Sequence, residues 1–127
     1  MLKTYRPYFL VIWIMLVIMA TLIDYSHMPS IMKAAIGFKG GYIVHFGAYF
    51  FASYLIWVSF ESIIALVLGL NSSIFFLSVI LEFLQKLTPS RRFNKVDVLM
   101  NLAGLVCFNL VLFFFLFLKK KKSQKVE

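Results

Sequence analysis

The stretch LEFLQKLTPSRRFNKVDVLMN, residues 81–101, separates two long apolar runs and decides how the chain folds. It holds two of the five acidic residues and four of the thirteen basic residues of the protein. Pro89 lies near its centre, in a polar TPSRRFNK segment that breaks the apolar pattern. The stretch therefore predicts a turn between two membrane helices, with ionisable groups gathered at one end of a helical bundle.

The composition indicates that the solvent of this chain is a lipid bilayer. Hydrophobic residues make up 62% of the 127 residues, charged residues make up 14%, and the mean hydropathy is +0.92. A soluble domain of this length leaves too much surface exposed to hide that share of apolar side chains. We therefore predict an all-α polytopic membrane protein, a single bundle of four transmembrane helices.

Four apolar segments mark the predicted spans. The first covers residues 8–23, which we interpret as an uncleaved helix, although the start of a signal peptide has a similar pattern. The second and third lie between residues 42 and 87, and the fourth covers residues 96–118. Between the first two spans, residues 29–38 favour a short helix lying in the membrane interface.

The boundary between the second and third spans has two candidate positions. A break at Glu61 divides the region into two spans that are each long enough for a bilayer. A break at GLNSS, residues 69–73, uses glycine, asparagine and serine, which commonly end and begin helices. The turn chemistry slightly favours GLNSS, with Glu61 near the interface on a tilted helix.

The distribution of basic residues predicts the orientation. Five lysines lie in the tail KKKKSQKVE, residues 119–127, directly after the fourth span. Such a cluster typically anchors a helix against anionic cytoplasmic lipid, so we predict that both termini are cytoplasmic. The domain then covers residues 1–118, followed by a basic disordered tail. The net charge of +8 indicates a lipid partner and no nucleic acid.

Alternating spans bring the polar residues of three helices to one membrane surface. These residues are His45 and Tyr49 on the second span, Glu82 and Gln85 on the third, and Asp97, Asn101 and Gly104 on the fourth. Within each span the spacing of three or four residues places them on one helix face. Ionisable groups in spans turn away from lipid, toward the bundle interior or a wet cavity. We therefore expect the three faces to meet.

Each of these residues also has a purely structural interpretation. His45 alone is more often a hydrogen-bonded interior histidine than a catalyst. Asp97 suits a helix N-terminus through the helix dipole, and Gly104 lets two backbones approach closely. Glu82 and Lys86 form an i, i+4 pair that any helix can carry. The recurrence of polar positions at one depth favours a site over these separate interpretations.

The sequence predicts no cofactor and no metal ion. Cys107 is the single cysteine and lies in an apolar run, where it suits packing. His45, Glu82 and Asp97 supply one imidazole and two carboxylates, which is a weak zinc signal.

Three short motifs, in order, resemble those of the VanZ-like membrane proteins. The chain has HFGAYF at residues 45–50, LEFLQ at 81–85 and PSRRFNKVDVLMNLAG at 89–104. These segments are similar to the family patterns H-F-x-x-Y, E-x-x-Q and P-x-R-x(5)-D-x(3)-N-x(2)-G. The matching positions are His45, Phe46, Tyr49, Glu82, Gln85, Pro89, Arg91, Asp97, Asn101 and Gly104. Family members commonly carry an Asp-Lys pair shortly before the histidine, where this chain has Lys39 without the aspartate.

The resemblance implies a multi-pass protein of the bacterial inner membrane that faces the cell envelope. The family's namesake is associated with resistance to the glycopeptide teicoplanin. We expect the chain to bind or shield an anionic lipid-linked or cell-wall-related ligand at the outer leaflet. The expected ligand-binding residues are His45, Tyr49, Glu82, Gln85, Arg91, Arg92, Asp97 and Asn101, with Phe46, Pro89 and Gly104 in structural roles.

Two other functions remain alternatives to binding. His45 with Glu82 or Asp97 would give a membrane-embedded enzyme an acid/base pair for chemistry on an envelope lipid. Binding is favoured, because no nucleophile in a recognisable motif accompanies these candidates. The polar set would otherwise be an interhelical network that fixes the bundle, around a second copy or another membrane protein as partner. Four spans without paired repeats argue against a transporter.

Overall fold

The computed structural model of the protein describes residues 2–23, 29–35, 40–61, 63–87 and 92–123. These residues form helices α1 (Leu2–Leu22), α2 (Ser30–Ala35), α3 (Gly40–Phe60), α4 (Ile64–Leu84) and α5 (Lys95–Ser123). A 3₁₀ turn, Gln85–Leu87, extends α4. The described part of the chain contains no strand, and the predicted all-α fold is confirmed.

Four of these helices are long and apolar enough to cross a membrane. The candidate spans are Tyr5–Leu22, Gly41–Phe60, Ile64–Leu87 and Lys95–Lys121. The first three have 18, 20 and 24 residues, close to the ~20 that a bilayer requires, and the fourth is longer, with 27. Large apolar side chains cover their outward faces, and Phe113, Phe114 and Phe115 are each more than half exposed. Lipid tolerates such a surface and water does not, so the predicted multi-pass bundle is confirmed.

Successive spans run in opposite directions, which gives the bundle two distinct ends. The loop end comprises the end of α1, the start of α3, the end of α4 and the start of α5. The terminal end comprises the starts of α1 and α4 and the ends of α3 and α5. Contacts at both ends fit this arrangement, because Arg6 bonds to the last turn of α3 and His45 bonds to Asn101 on α5.

The break between the second and third spans lies at Glu61, so the preference for GLNSS was wrong. Helix α3 ends at Phe60, α4 begins at Ile64, and residues 69–73 lie inside α4. Their polar side chains do not cap helices, because each donates to the carbonyl oxygen four residues earlier. These bonds join Asn71 to Val67 at 2.8 Å, Ser72 to Leu68 at 3.0 Å and Ser73 to Gly69 at 2.9 Å. Back-bonding of this kind lets polar residues stay in a membrane helix.

The predictions for the short interfacial helix and for the C-terminal tail have different outcomes. The short helix expected within residues 29–38 is present as α2. The disordered tail expected from residue 119 is wrong for its first part, since α5 continues through Ser123. Lysine has good helix propensity, and a long apolar helix that precedes it removes the cost of nucleation. Residues 124–127 lie outside the described residues.

Helix α1 is fixed to α3 by hydrogen bonds from two long side chains. Near the terminal end, the Arg6 guanidinium donates to the carbonyl oxygen of Val58 at 3.0 Å. This carbonyl is among the last four of α3, which have no partner within the helix. Midway along the bundle, the Trp13 indole donates to the carbonyl oxygen of Ala48 at 3.0 Å. Both bonds satisfy side-chain N–H groups for which lipid hydrocarbon offers no acceptor.

Helices α3 and α5 form the most closely packed pair, and Gly104 makes their approach possible. A Cβ atom added at Gly104 would collide with the carbonyl oxygen of Phe46 and lie 2.9 Å from the backbone nitrogen of Phe50. Both atoms belong to the α3 backbone, which cannot move aside as a flexible side chain can. The absence of a side chain at Gly104 therefore allows the backbones of α3 and α5 to approach closely.

We predict that Gly104→Ala lowers the free energy of unfolding by about 1–3 kcal/mol, because α3 and α5 must separate to admit the methyl group. Gly69→Ala is the matched control, since nothing lies within 4 Å of a Cβ added there. SDS titration of the purified protein in mixed micelles measures both variants. Equal stability of the two variants would contradict the packing described here.

Candidate functional site

Glu82 is the centre of a buried polar cluster at the loop end. Its side chain is nearly inaccessible, with 1% of the residue exposed. Carboxylate atom Oε1 accepts the backbone N–H of Asn94 at 2.9 Å, and Oε2 accepts the Nε2 amide of Gln85 at 3.1 Å. Gln85 is also buried. The carboxylate therefore joins the end of α4 to the segment that leads into α5.

Asn94 transmits this connection to the first turn of α5. Its side-chain oxygen accepts the backbone N–H of Val96 at 3.0 Å, and its carbonyl oxygen accepts that of Asp97 at 3.1 Å. These bonds satisfy donors that a helix start leaves without intrahelical partners. Asn94 was not among the predicted site residues. The signal that could have identified it is an asparagine directly before a long helix.

His45 lies between two polar residues of α5. Its Nδ1 atom is 2.9 Å from the side-chain oxygen of Asn101, which is buried. Its Nε2 atom is 3.8 Å from Oδ2 of Asp97. The side chains of His45 and Asp97 are 20% and 18% exposed, so this pair lies at the accessible edge of the polar region.

This geometry determines what the imidazole can do. An amide oxygen only accepts hydrogen bonds, so the Nδ1 atom of His45 carries the proton shared with Asn101. In the neutral ring, Nε2 is then an acceptor that faces another acceptor, the Asp97 carboxylate. A separation of 3.8 Å is too long for a direct hydrogen bond. The arrangement suits a donor group of a ligand that hydrogen-bonds to both the Nε2 atom and the carboxylate.

Tyr49 is buried and lies inside the bundle, below the accessible edge. It has 5% of its surface exposed and belongs to the hydrophobic core cluster, together with Val67 and Ile74 of α4. Tyr49 therefore packs in the core between helices. Helix faces alone do not distinguish this role from lining a site.

Basic and aromatic side chains surround the loop end. Arg92 and Lys95 are exposed. The Lys86 ammonium lies over the rings of Phe83 and Phe93, at 4.8 and 5.4 Å from their centroids. Such cation–π contacts hold a cation near a surface without neutralising it.

The remaining predicted residues divide into described and undescribed positions. Phe46 stacks on Phe50 with ring centroids 6.0 Å apart, and its carbonyl faces Gly104. Pro89 and Arg91 lie outside the described residues. Those predictions therefore remain predictions.

Five of the predicted site residues form two clusters at the loop end. His45, Asp97 and Asn101 make up the first, and Glu82 and Gln85 form the second together with Asn94. The first is accessible at its edge and the second is closed. Among the described residues, no three His, Cys, Asp or Glu side chains come close enough together to hold a metal ion.

A further polar cluster lies deeper in the bundle and was missed by sequence reasoning. Ser53 donates to the side-chain oxygen of Asn71 at 2.6 Å, and the Asn109 amide donates to Ser53 at 3.0 Å. The amide of Asn109 also reaches the Leu105 carbonyl oxygen at 2.8 Å. The available signal was an asparagine inside each of two apolar runs, where such residues bond across helices.

No protein-family model, curated protein or solved structure matches this chain.

We predict that Glu82→Leu lowers the free energy of unfolding by about 1–3 kcal/mol, because it leaves the Asn94 N–H and the Gln85 amide without their acceptor. Glu61→Leu makes the same chemical change at a side chain that is 50% exposed, and we expect an effect within about 0.5 kcal/mol. Unfolding in mixed micelles compares the two. A smaller loss at Glu82 than at Glu61 would show that the buried carboxylate does not stabilise the loop end.

Proposed function

We propose that the chain is a VanZ-like protein of the bacterial inner membrane that binds an anionic lipid-linked or cell-wall-related molecule at the outer leaflet. The observation that carries the proposal is the accessible His45–Asp97 pair, whose imidazole is oriented by Asn101. A binding site requires polar groups that are fixed in position and still reachable, and this pair has both properties.

The charges around this pair favour a ligand with two kinds of polar group. Exposed Arg92 and Lys95 would attract a phosphate or another anionic head group. Asp97 would accept hydrogen bonds from hydroxyl or amide groups of the same molecule. A phosphate attached to sugar or peptide, as in lipid-linked cell-wall precursors, has both. Protection of such a molecule would account for a role in glycopeptide resistance.

A second candidate function is architectural, and the closed pairing of Glu82 supports it. Its carboxylate is buried and is bonded to groups of the protein itself. If the accessible pair served the same purpose, the whole polar set would hold the loop end together, alone or around a membrane partner. The two functions differ in what they require of His45, because only binding needs it to contact a ligand.

Binding is tested with a fluorescent lipid-linked pyrophosphate precursor added to the protein in nanodiscs. We predict that His45→Ala and Arg92→Ala each weaken binding about tenfold, because each removes one hydrogen-bonding contact to the ligand. Lys121→Ala, an exposed cation at the terminal end, is the matched control and should bind as the wild type does.

Equal binding by the wild type and both variants, with unchanged melting temperatures, would contradict the binding function. Loss of stability in His45→Ala, without any precursor binding by the wild type, would favour the architectural function.

The proposed orientation has its own test, which uses single cysteines in a Cys107→Ser background. We predict that a membrane-impermeant maleimide labels Lys86→Cys in intact cells, because the loop end faces outward in this proposal. Lys121→Cys should react only after the cells are lysed. The reverse pattern would move the His45–Asp97 pair to the cytoplasmic surface and exclude an outer-leaflet ligand.

A further inference from the structure

Two hydrogen-bond acceptors face each other at the accessible edge of the loop end. They are the Nε2 atom of His45, when its ring is neutral, and the Oδ2 atom of Asp97, and they lie 3.8 Å apart. The Nδ1–H group of the imidazole is already used by Asn101. Within the described part of the chain, no donor group hydrogen-bonds to either acceptor. The pair therefore offers two acceptors to a donor that comes from outside the bundle.

We propose that this pair binds a membrane lipid through an ammonium group that has at least two N–H bonds. The inference rests on the proposed function, because it requires that a ligand reaches the pair, and it specifies the donor group that this ligand presents. The ammonium donates one N–H to the Nε2 atom of His45 and another to the carboxylate of Asp97.

The separation of the two acceptors selects a donor atom that carries two hydrogens. A nitrogen placed about 2.8 Å from each acceptor sees them about 85° apart, because they are separated by 3.8 Å. The N–H bonds of a tetrahedral ammonium diverge by roughly 109°, so both hydrogen bonds keep angles above about 150°. A hydroxyl or a secondary amide has a single hydrogen and would leave one of the two acceptors without a partner.

The charge of the pair favours an ammonium over other groups with two hydrogens, such as water or a primary amide. With a neutral imidazole, the pair carries the single negative charge of Asp97. This residue lies in the first turn of α5, where the helix dipole favours a negative charge. Lys95 is exposed and, among the described residues, forms no ion pair with Asp97 that would cancel this charge. Hydrogen bonds between charged partners are roughly twice as strong as those between neutral groups.

The depth of the pair matches the polar head groups of a bilayer. His45 is four residues from the start of the span Gly41–Phe60, about 6 Å at 1.5 Å per residue. Asp97 is two residues from the start of the span Lys95–Lys121, about 3 Å. The head-group layer is about 5–7 Å thick on each side of the hydrocarbon core. A lipid ammonium can therefore reach the pair from the bilayer surface, without entering the bundle.

The test compares four phospholipids that differ only in the methylation of the head-group nitrogen. They are phosphatidylethanolamine, its N-methyl and N,N-dimethyl derivatives, and phosphatidylcholine. All four carry a phosphate and one positive charge, but their nitrogen has three, two, one and no N–H bonds, respectively. Each of the first three is titrated as a guest into phosphatidylcholine nanodiscs that hold the full-length protein, with phosphatidylcholine alone as the reference.

The measurement follows the nitrogen-15 resonance of the His45 Nε2 atom at about pH 8, where an imidazole is neutral. A His27→Gln background leaves His45 as the single histidine. We expect phosphatidylethanolamine and its N-methyl derivative to move this resonance to lower frequency, because Nε2 then accepts a hydrogen bond. The N,N-dimethyl derivative should bind about tenfold less tightly, because it cannot serve both acceptors.

Asp97→Asn tests the carboxylate, since it removes the charge and keeps the shape of the side chain. We expect it to weaken the response to phosphatidylethanolamine about tenfold. Glu61→Gln is the matched control, because it makes the same chemical change at a half-exposed carboxylate of the terminal end. If Asp97→Asn does not fold, the methylation series still decides the question in a chain that keeps Asp97.

The absence of any difference among the four lipids would overturn the proposal, because the two acceptors would then bind only water. An equal response to soluble ethylamine at the same concentration would overturn the assignment to a lipid. Binding of the fluorescent precursor by the wild type, without any effect of methylation, would support the proposed function and contradict this inference. An effect of methylation without precursor binding would do the opposite.

Discussion

The carboxylate of Glu82 is the interaction on which the loop end of this bundle depends. A buried ionisable side chain in a membrane helix is costly unless donors are held against it. Here the donors are the Gln85 amide and the Asn94 backbone N–H. Asn94 in turn caps α5. The first turn of α5 carries Asp97, and Asn101 follows one turn later, so the atoms that surround His45 depend on a bond formed by another helix.

Two contacts fix the position of α5. One is the hydrogen bond between Glu82 and Asn94 just before its start, and the other is the packing of Gly104 on α3. Glu82 fixes the helix at its first residues, while the contact of Gly104 with the α3 backbone fixes its separation from α3. A helix held at two points along its length has little freedom to rotate or slide. The 2.9 Å contact between His45 and Asn101 lies between these points. The same packing on α3 leaves the side of α5 toward α4 less covered.

Much of this arrangement could be predicted from the sequence, because lipid imposes simple requirements on a chain. Apolar segments of bilayer length predicted the four spans, and their alternation predicted that polar residues of three spans reach the same end. The second boundary could not be predicted reliably, because asparagine and serine serve equally as helix caps and as donors to their own helix. Asn71, Ser72 and Ser73 do the latter. Helix faces likewise did not separate buried Tyr49 from accessible His45, since that difference depends on crossing geometry.

The lysines at the end of α5 have a mechanical consequence. The helix contains 29 residues, about 43 Å at 1.5 Å per residue, and so it is longer than a hydrocarbon core of about 30 Å. Lys119, Lys120 and Lys121 are helical and exposed, and at 3.6 residues per turn they point in three directions around the axis. Whatever the rotation of the helix, at least one ammonium group would have to enter hydrocarbon if the helix sank deeper. The three lysines therefore oppose translation of α5 along the membrane normal toward the opposite side.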